Sequence, residues 1–278
     1  MRAALTSIDL RTACGAAARA TCVALAVVAA AGVAHADPAA PRVLAAPTAW
    51  LPPGGAVVAS GGTLHGAEQT VGFGLLDAGV GLGGLASVHV GVGSDVRGCI
   101  TGCERPEGLL LGRAAFRLGA RQDAWFSGMP ALLVGVRTTY AARGHDFGRA
   151  RVTDAYAAAS RELGSVRLHA GVSITAAAFG DEEVELAPTA RPFGGVEWTP
   201  PMYPRTSVLA DVMWLPELAP DAIELAWVAG WGVRYQALPW GSIELAVRHR
   251  EDEGLGDSTV MIRLNGVFAR TKQAALLR

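Results

Sequence analysis

The sequence predicts an all-β fold: a single antiparallel transmembrane β-barrel of about twelve strands, with ten as the alternative. Three observations predict it. Apolar and polar residues alternate with period two in stretch after stretch, the pattern of strands with one apolar and one polar face. The polar face of that alternation is dense in arginine. The apolar face carries tryptophan and tyrosine near the stretch ends, as a barrel does where it meets the two bilayer interfaces.

Composition points the same way. Of 278 residues, 51% are hydrophobic and 18% charged, with a formal net charge of −1. A soluble domain carries about 25% charge. The chain is too apolar for a disordered protein and lacks the basic footprint of a nucleic-acid binder.

Residues 1–36 read as a secretory signal peptide. Arg2, Arg11 and Arg19 precede an uncharged apolar run from Ala20 to Ala34, and Ala34-His35-Ala36 is a small-x-small cleavage site. Cleavage there removes Cys14 and Cys22 and leaves Cys99 and Cys103, which suggests one disulfide in an oxidising compartment. Residues 37–54 read as a periplasmic N-terminal segment, 55–268 as the barrel and 269–278 as a C-terminal tail.

The barrel strands follow in order. Weaker alternation marks 55–65, 70–81 and 85–94. In 109–119, Leu110, Ala114, Phe116 and Leu118 oppose Arg113 and Arg117. In 131–143, Leu132, Val134, Val136 and Tyr140 oppose Arg137 and Thr139. A weak strand at 150–161 contributes Arg151 to the polar face. In 165–176, Val166, Leu168, Ala170, Val172 and Ile174 oppose Arg167, His169, Ser173 and Thr175. Weak strands at 187–198 and 206–214 place Arg191, Glu197 and Asp211 on the polar side. In 224–236, Leu225, Trp227, Trp231, Val233 and Tyr235 oppose Glu224 and Arg234. In 242–250, Ile243, Leu245 and Val247 oppose Glu244 and Arg248, and in 259–268, Val260, Ile262 and Leu264 oppose Arg263.

A soluble β-sandwich also alternates, but it turns its apolar face and its aromatics inward. Here the arginine-rich face is the better candidate for the interior. Connection lengths agree, because with both termini periplasmic the outer loops are the longer ones. Those loops are acidic, with Asp95, Glu104, Asp181, Glu182, Glu183, Glu217, Asp221, Glu251, Asp252, Glu253 and Asp257. Two periplasmic turns, 119–130 and 199–205, are longer than the rule allows. A membrane helix over 70–93 would contain Asp77 and eight glycines, each costly in a helix; a hairpin through Gly83-Gly84 fits better.

With these patterns in hand, the chain resembles Gram-negative outer-membrane β-barrel proteins over about residues 50–268. The segment 260–268 resembles that family's closing strand, whose alternation ends in an aromatic residue, here Phe268. In the family that aromatic is usually the last residue, whereas ten residues follow it here. The resemblance implies insertion by the barrel-assembly machinery and contact with outer-membrane lipid and lipopolysaccharide.

Few residues suggest chemistry. Gly79-x-Gly81-x-x-Gly84 matches a dinucleotide fingerprint, but a strand-like stretch follows it instead of the helix that would hold pyrophosphate. Cys99 and Cys103 lack further metal ligands nearby. His145-Asp146 in an outer loop gives a third reading, a loop-sited outer-membrane hydrolase. No cofactor or metal is expected, and the chain does not read as an enzyme.

The remaining constellation is the charged lumen: Arg113, Arg117, Arg137, Arg167, His169, Arg191, Glu197, Asp211, Glu224, Arg234, Glu244, Arg248 and Arg263. Arginines outnumber acids there, so a pore would favour anions. The leading expectation is a porin-like channel for small polar or anionic solutes. The alternative is a non-conducting structural or envelope-interaction barrel, its lumen plugged by paired charges. The sequence leaves solute and oligomeric state open.

Overall fold

A computed structural model describes residues 41–66, 75–93, 95–98, 107–141, 150–180, 184–219, 221–251 and 253–269. The expected signal peptide, the Cys99–Cys103 disulfide, His145-Asp146 and residues 270–278 of the tail lie outside the described residues.

Twelve strands form a closed ring. They are β1 (Val57–His65), β2 (Leu75–Leu82), β3 (Ala86–Val92), β4 (Leu111–Ala120), β5 (Ala131–Ala141) and β6 (Ala150–Leu163), followed by β7 (Val166–Phe179), β8 (Val184–Trp198), β9 (Thr206–Leu218), β10 (Ile223–Leu238), β11 (Gly241–Arg250) and β12 (Thr259–Phe268). Every neighbour in sequence is an antiparallel neighbour in space, and β12 closes on β1 from Val57↔Phe268 to His65↔Val260. Two two-residue strands, Arg97–Gly98 and Glu107–Gly108, form a ribbon at the rim. The predicted all-β, twelve-strand antiparallel barrel is the observed fold.

Why these stretches pair this way follows from their alternation. Along β5, Val134 and Val136 are exposed while Leu133 and Ala131 are buried. Along β7, Leu168, Val172 and Ile174 face out while His169, Ser173 and Thr175 are buried. A one-residue slip would invert both faces of a strand, so the pattern fixes the register. The outer surface is an apolar band, and Trp198, Trp231 and Tyr235 lie on it. Backbone groups in hydrocarbon need internal partners, and the ladder supplies them around the ring except where β8 and β9 pair over only five residues, Gly194–Trp198.

β1 starts and β12 ends at the same end of the barrel, here the near end. Its connections include the tight Gly83-Gly84 turn, where both glycines have positive φ (62° and 71°), a conformation that glycine adopts without steric cost. The glycine trio at 79, 81 and 84 thus serves a strand–turn–strand unit. The two longer near-end turns carry Trp125, Phe126, Met202 and Tyr203, all highly exposed. Exposed aromatic residues at a strand-end level are the pattern of a barrel's interfacial girdle.

Residues 41–53 correct the expected periplasmic lead-in: they run inside the barrel. Val43, Leu44, Ala45, Ala46, Thr48 and Ala49 are buried. This segment turns on itself, with the Val43 amide donating to the Ala46 carbonyl (3.0 Å) and that of Thr48 to Pro41 (3.1 Å). It is too apolar to favour water, and its backbone polar groups need partners wherever it goes. The charged inner wall supplies those partners.

The outward position of Val136, halfway along β5, gives a direct test. Val136→Arg is expected to lower unfolding free energy in phospholipid vesicles by about 2–4 kcal/mol, the cost of arginine near the bilayer midplane. The same change at loop residue Leu255 should have little effect. Chemical-denaturant titrations of the two variants check this.

Candidate functional site

The site is the lumen with the segment 41–53 inside it. The best-defined contact is at Asp211 on β9. Its Oδ2 accepts three consecutive backbone amides, from Leu44 (3.0 Å), Ala45 (2.6 Å) and Ala46 (2.7 Å). Three successive N–H groups aimed at one carboxylate form an anion-binding nest. Close approach needs space on the wall. A Cβ at Gly230 would stand 2.7 Å from Asp211 Oδ1 and 3.0 Å from Leu44, and one at Gly195 would stand 2.9 Å from Val43.

The carbonyls of the same turn are held by arginines. Arg263 Nη1 donates to Leu44 O (2.8 Å) and its Nη2 to Val43 O (3.0 Å). Arg234 Nη2 donates to Val43 O (3.1 Å). Both guanidiniums converge on Glu244, which is fully buried. Arg234 Nε donates to Glu244 Oε1 (2.6 Å), Arg263 Nε to Oε2 (2.5 Å) and Asn265 Nδ2 to Oε1 (2.8 Å). Arg234 also binds Glu197 at 3.0 Å. Register explains the cluster: Glu244 pairs with Arg234 on one side and Arg263 on the other.

Lower along the segment, Arg117 donates to the Thr48 carbonyl, and the Ala49 amide donates to Ser160 Oγ (2.7 Å). Ser160 Oγ bonds His169 Nδ1 at 2.8 Å, and His169 Nε2 faces Glu197 at 3.5 Å. This row has the residue types of an acyl hydrolase, but Ser160 is 1% exposed and its oxygen already serves Ala49. Trp50 stands edge-on to His169 and under the Arg167 guanidinium, which also binds Glu162 at 2.7 Å. The row anchors the segment.

On the opposite wall the arginines have acids that sequence reading did not assign to the lumen. Arg113 binds Asp77, which also meets His89 at 3.2 Å. Arg137 binds Asp154 through two nitrogens (2.9 and 2.7 Å), and Asp154 accepts from Thr175 at 2.7 Å. Between this wall and the segment lies a pocket of about 60 Å³, lined by Arg42, Arg113, Arg117, Arg137, Asp77 and His89 among others.

At the far end, residues 95–98 and 107–110 fold over the wall. Val96 and Leu109 pack with Leu111, Val152, Phe179 and Leu218. Asp95 binds Arg248 (2.7 Å) and approaches Arg42 (3.8 Å), and Arg97 binds Glu253. Burial alone would push the Asp95 carboxyl up, but the guanidiniums of Arg248 and Arg42 outweigh it and hold the carboxyl well below the usual carboxylate range. Glu217 binds Arg250 at 2.9 Å. Of the acids expected in the outer loops, Asp95, Glu217 and Glu253 are paired to arginines.

Two charges depart from the predicted lining. Glu224 is exposed at the strand end, opposite Glu217. Arg151 is exposed opposite Tyr140 on the outer face, because Val152 and Asp154 take the inward positions of β6. Arg191 is half-buried and stacks over Trp214 at 5.1 Å.

No protein-family model matches the chain, and no curated protein does. Solved structures with a similar course include the KdgM porin in complex with disordered oligogalacturonate (TM-score 0.44, 6% identity, 77% of this chain and 98% of that one). An active-site variant of outer membrane phospholipase A from Escherichia coli gives TM-score 0.44 at 11% identity, over 80% and 92% of the two chains. OmpT, an outer membrane protein of Vibrio cholerae, gives 0.36 at 10%, over 76% and 98%.

The Asp211 nest makes the segment's retention measurable. Asp211→Ala removes three bonds to a charged acceptor, each worth roughly 1.5–3 kcal/mol. Amide exchange at Leu44, Ala45 and Ala46 is expected to rise at least ~100-fold, the equivalent of about 2.7 kcal/mol; unchanged protection would show that the nest does not hold the segment. Glu244→Gln leaves two buried guanidiniums poorly compensated and should cost about 3–5 kcal/mol of barrel stability.

Proposed function

We propose that the chain is an outer-membrane barrel closed by its own N-terminal segment, and that it passes small anions only when that segment is displaced. The near end then faces the periplasm and the far end faces outward. The occupied lumen carries this reading. Beside the segment a pocket of about 60 Å³ remains, and a larger one of about 420 Å³, lined by Arg167, Glu197, Arg234 and Ser242 among others, lies toward the near end; the segment bound to Asp211, Arg234 and Arg263 lies across the axis of the barrel. This favours the plugged alternative over a permanently open porin.

What favours anions upon opening is the residue of unpaired positive donors. Arg117 is 3% exposed, and its Nε and Nη1 find no hydrogen-bond partner among the described residues; nor does Arg42 Nη2. All three belong to residues lining the smaller pocket. Most other lumen arginines are neutralised by Asp77, Asp154, Glu197, Glu244 or Asp95. Withdrawal of the segment would also free Arg234 and Arg263 from its carbonyls and widen the charged surface.

Planar-bilayer recordings test this. The full chain should be quiet at low voltage, while Asp211→Ala, and a variant lacking residues 41–50, should open channels with an anionic reversal potential. Arg117→Glu in the Asp211→Ala background should shift that potential toward cations. Steady conductance of the unaltered chain, unchanged by either alteration, would instead establish an open porin.

A further inference from the structure

The ring is not evenly zipped. Pairing between β8 and β9 covers only Gly194↔Val212 to Trp198↔Val208. Beyond Gly194, β8 continues through Val184–Phe193, and β9 continues through Met213–Leu218. Neither stretch pairs with the other; the rim strand Arg97–Gly98 takes only Glu217 and Leu218. Six residues of strand span about 20 Å, so the unpaired seam reaches deep into the apolar band.

The sequence builds this seam. A proline has no N–H for a ladder, so it is tolerated where the missing donor faces away from the paired neighbour. Pro192 pairs with Val172 on β7, and Pro216 with Leu225 on β10. Both missing donors therefore fall on the seam, one from each side. Pro188 lies in the register shift between Leu186 and Thr189 on the same edge. Prolines thus remove donors that hydrocarbon would leave unsatisfied.

What lies behind and across the seam suggests its occupant. Phe193, Met213 and Leu215 face inward and pack with Leu133, Val228 and the alanines 45, 46 and 49 of the inner segment. Here the lumen wall is apolar, unlike the charged walls on either side. Arg191 springs from the inward face of β8, yet its guanidinium covers Trp214, on the outward face of β9. Its Nε is buried without a partner, its Nη1 reaches only the Ala190 carbonyl at 3.4 Å, and it makes no ion pair among the described residues.

We propose that this seam is a lateral portal for a single-chain carboxylate amphiphile dissolved in the bilayer. Its alkyl chain passes between β8 and β9 onto the Phe193, Met213 and Leu215 surface, and its carboxylate takes the Arg191 donors. The charge is complementary, the surface behind is apolar, and among the described residues the entrance is crossed by side chains such as Arg191 over Trp214. The proposal rests on the membrane-barrel reading, and the test separates the two.

A long-chain fatty acid carrying a mid-chain diazirine is added to nanodiscs holding the full chain, and photolabelled residues are mapped by mass spectrometry. Labelling of Val208 and Trp231 on the outer face, and also of Phe193, Met213 and the 43–49 segment, is the expected result. Arg191→Glu should abolish inward labelling and leave the outer face labelled. Outward labelling without inward labelling overturns the portal alone, and absence of both overturns the membrane reading. Inward labelling that persists in Arg191→Glu, or that a diazirine phospholipid produces equally well, overturns the carboxylate, single-chain assignment.

Discussion

The structure depends on one contact: the carboxylate of Asp211 accepting the amides of Leu44, Ala45 and Ala46. Buried polar backbone must be paired, and a segment inside a barrel has no sheet to join. Asp211 satisfies the donors of the turn, while Arg234 and Arg263 satisfy its acceptors. Once the segment is held, the lumen charges follow as a consistent set. Arginines on neighbouring strands need a shared acid, and Glu244 stands between them in register.

This arrangement divides the lumen into regions with different tasks. The β8–β12 wall grips the segment through charge. The β2–β6 wall keeps its arginines paired to Asp77 and Asp154, leaving a narrow passage. Within the β8–β12 wall, beside the stretches where β8 and β9 do not pair, the interior becomes apolar. At the far end Val96 and Leu109 pack onto the wall and Asp95 and Arg97 make arginine–carboxylate ties. Among the described residues the segment and the 95–98 and 107–110 stretches lie across the axis, whereas the wall itself is least paired at the seam between β8 and β9.

Much of the fold was legible because strand alternation is local. The parity of Arg113, Arg117, Arg137, Arg234, Glu244 and Arg263 follows from their immediate neighbours, and each lies inside. Arg151 misled because 150–161 alternates weakly between small residues, so nothing local shows that Val152 and Asp154 take the inner face. Asp77 and Asp154 were not assigned to the lumen for the same reason: each stands in a weakly patterned stretch. The inner segment was invisible to periodicity because it is not a strand. Its one sequence signal is Val43-Leu44-Ala45-Ala46, an apolar run between prolines, out of place in a free periplasmic lead-in. The seam was equally hidden, although Pro188, Pro192 and Pro216 within strand-like stretches marked where pairing stops.

The central claim is that the N-terminal segment resides in the lumen on Asp211. A solid-state NMR dipolar measurement in lipid bilayers, between the ¹³C-labelled Asp211 carboxyl carbon and the ¹⁵N amides of Leu44, Ala45 and Ala46, tests it most directly. Strong couplings of directly hydrogen-bonded pairs at all three amides are the predicted result. Their absence in folded, bilayer-embedded protein would contradict the account.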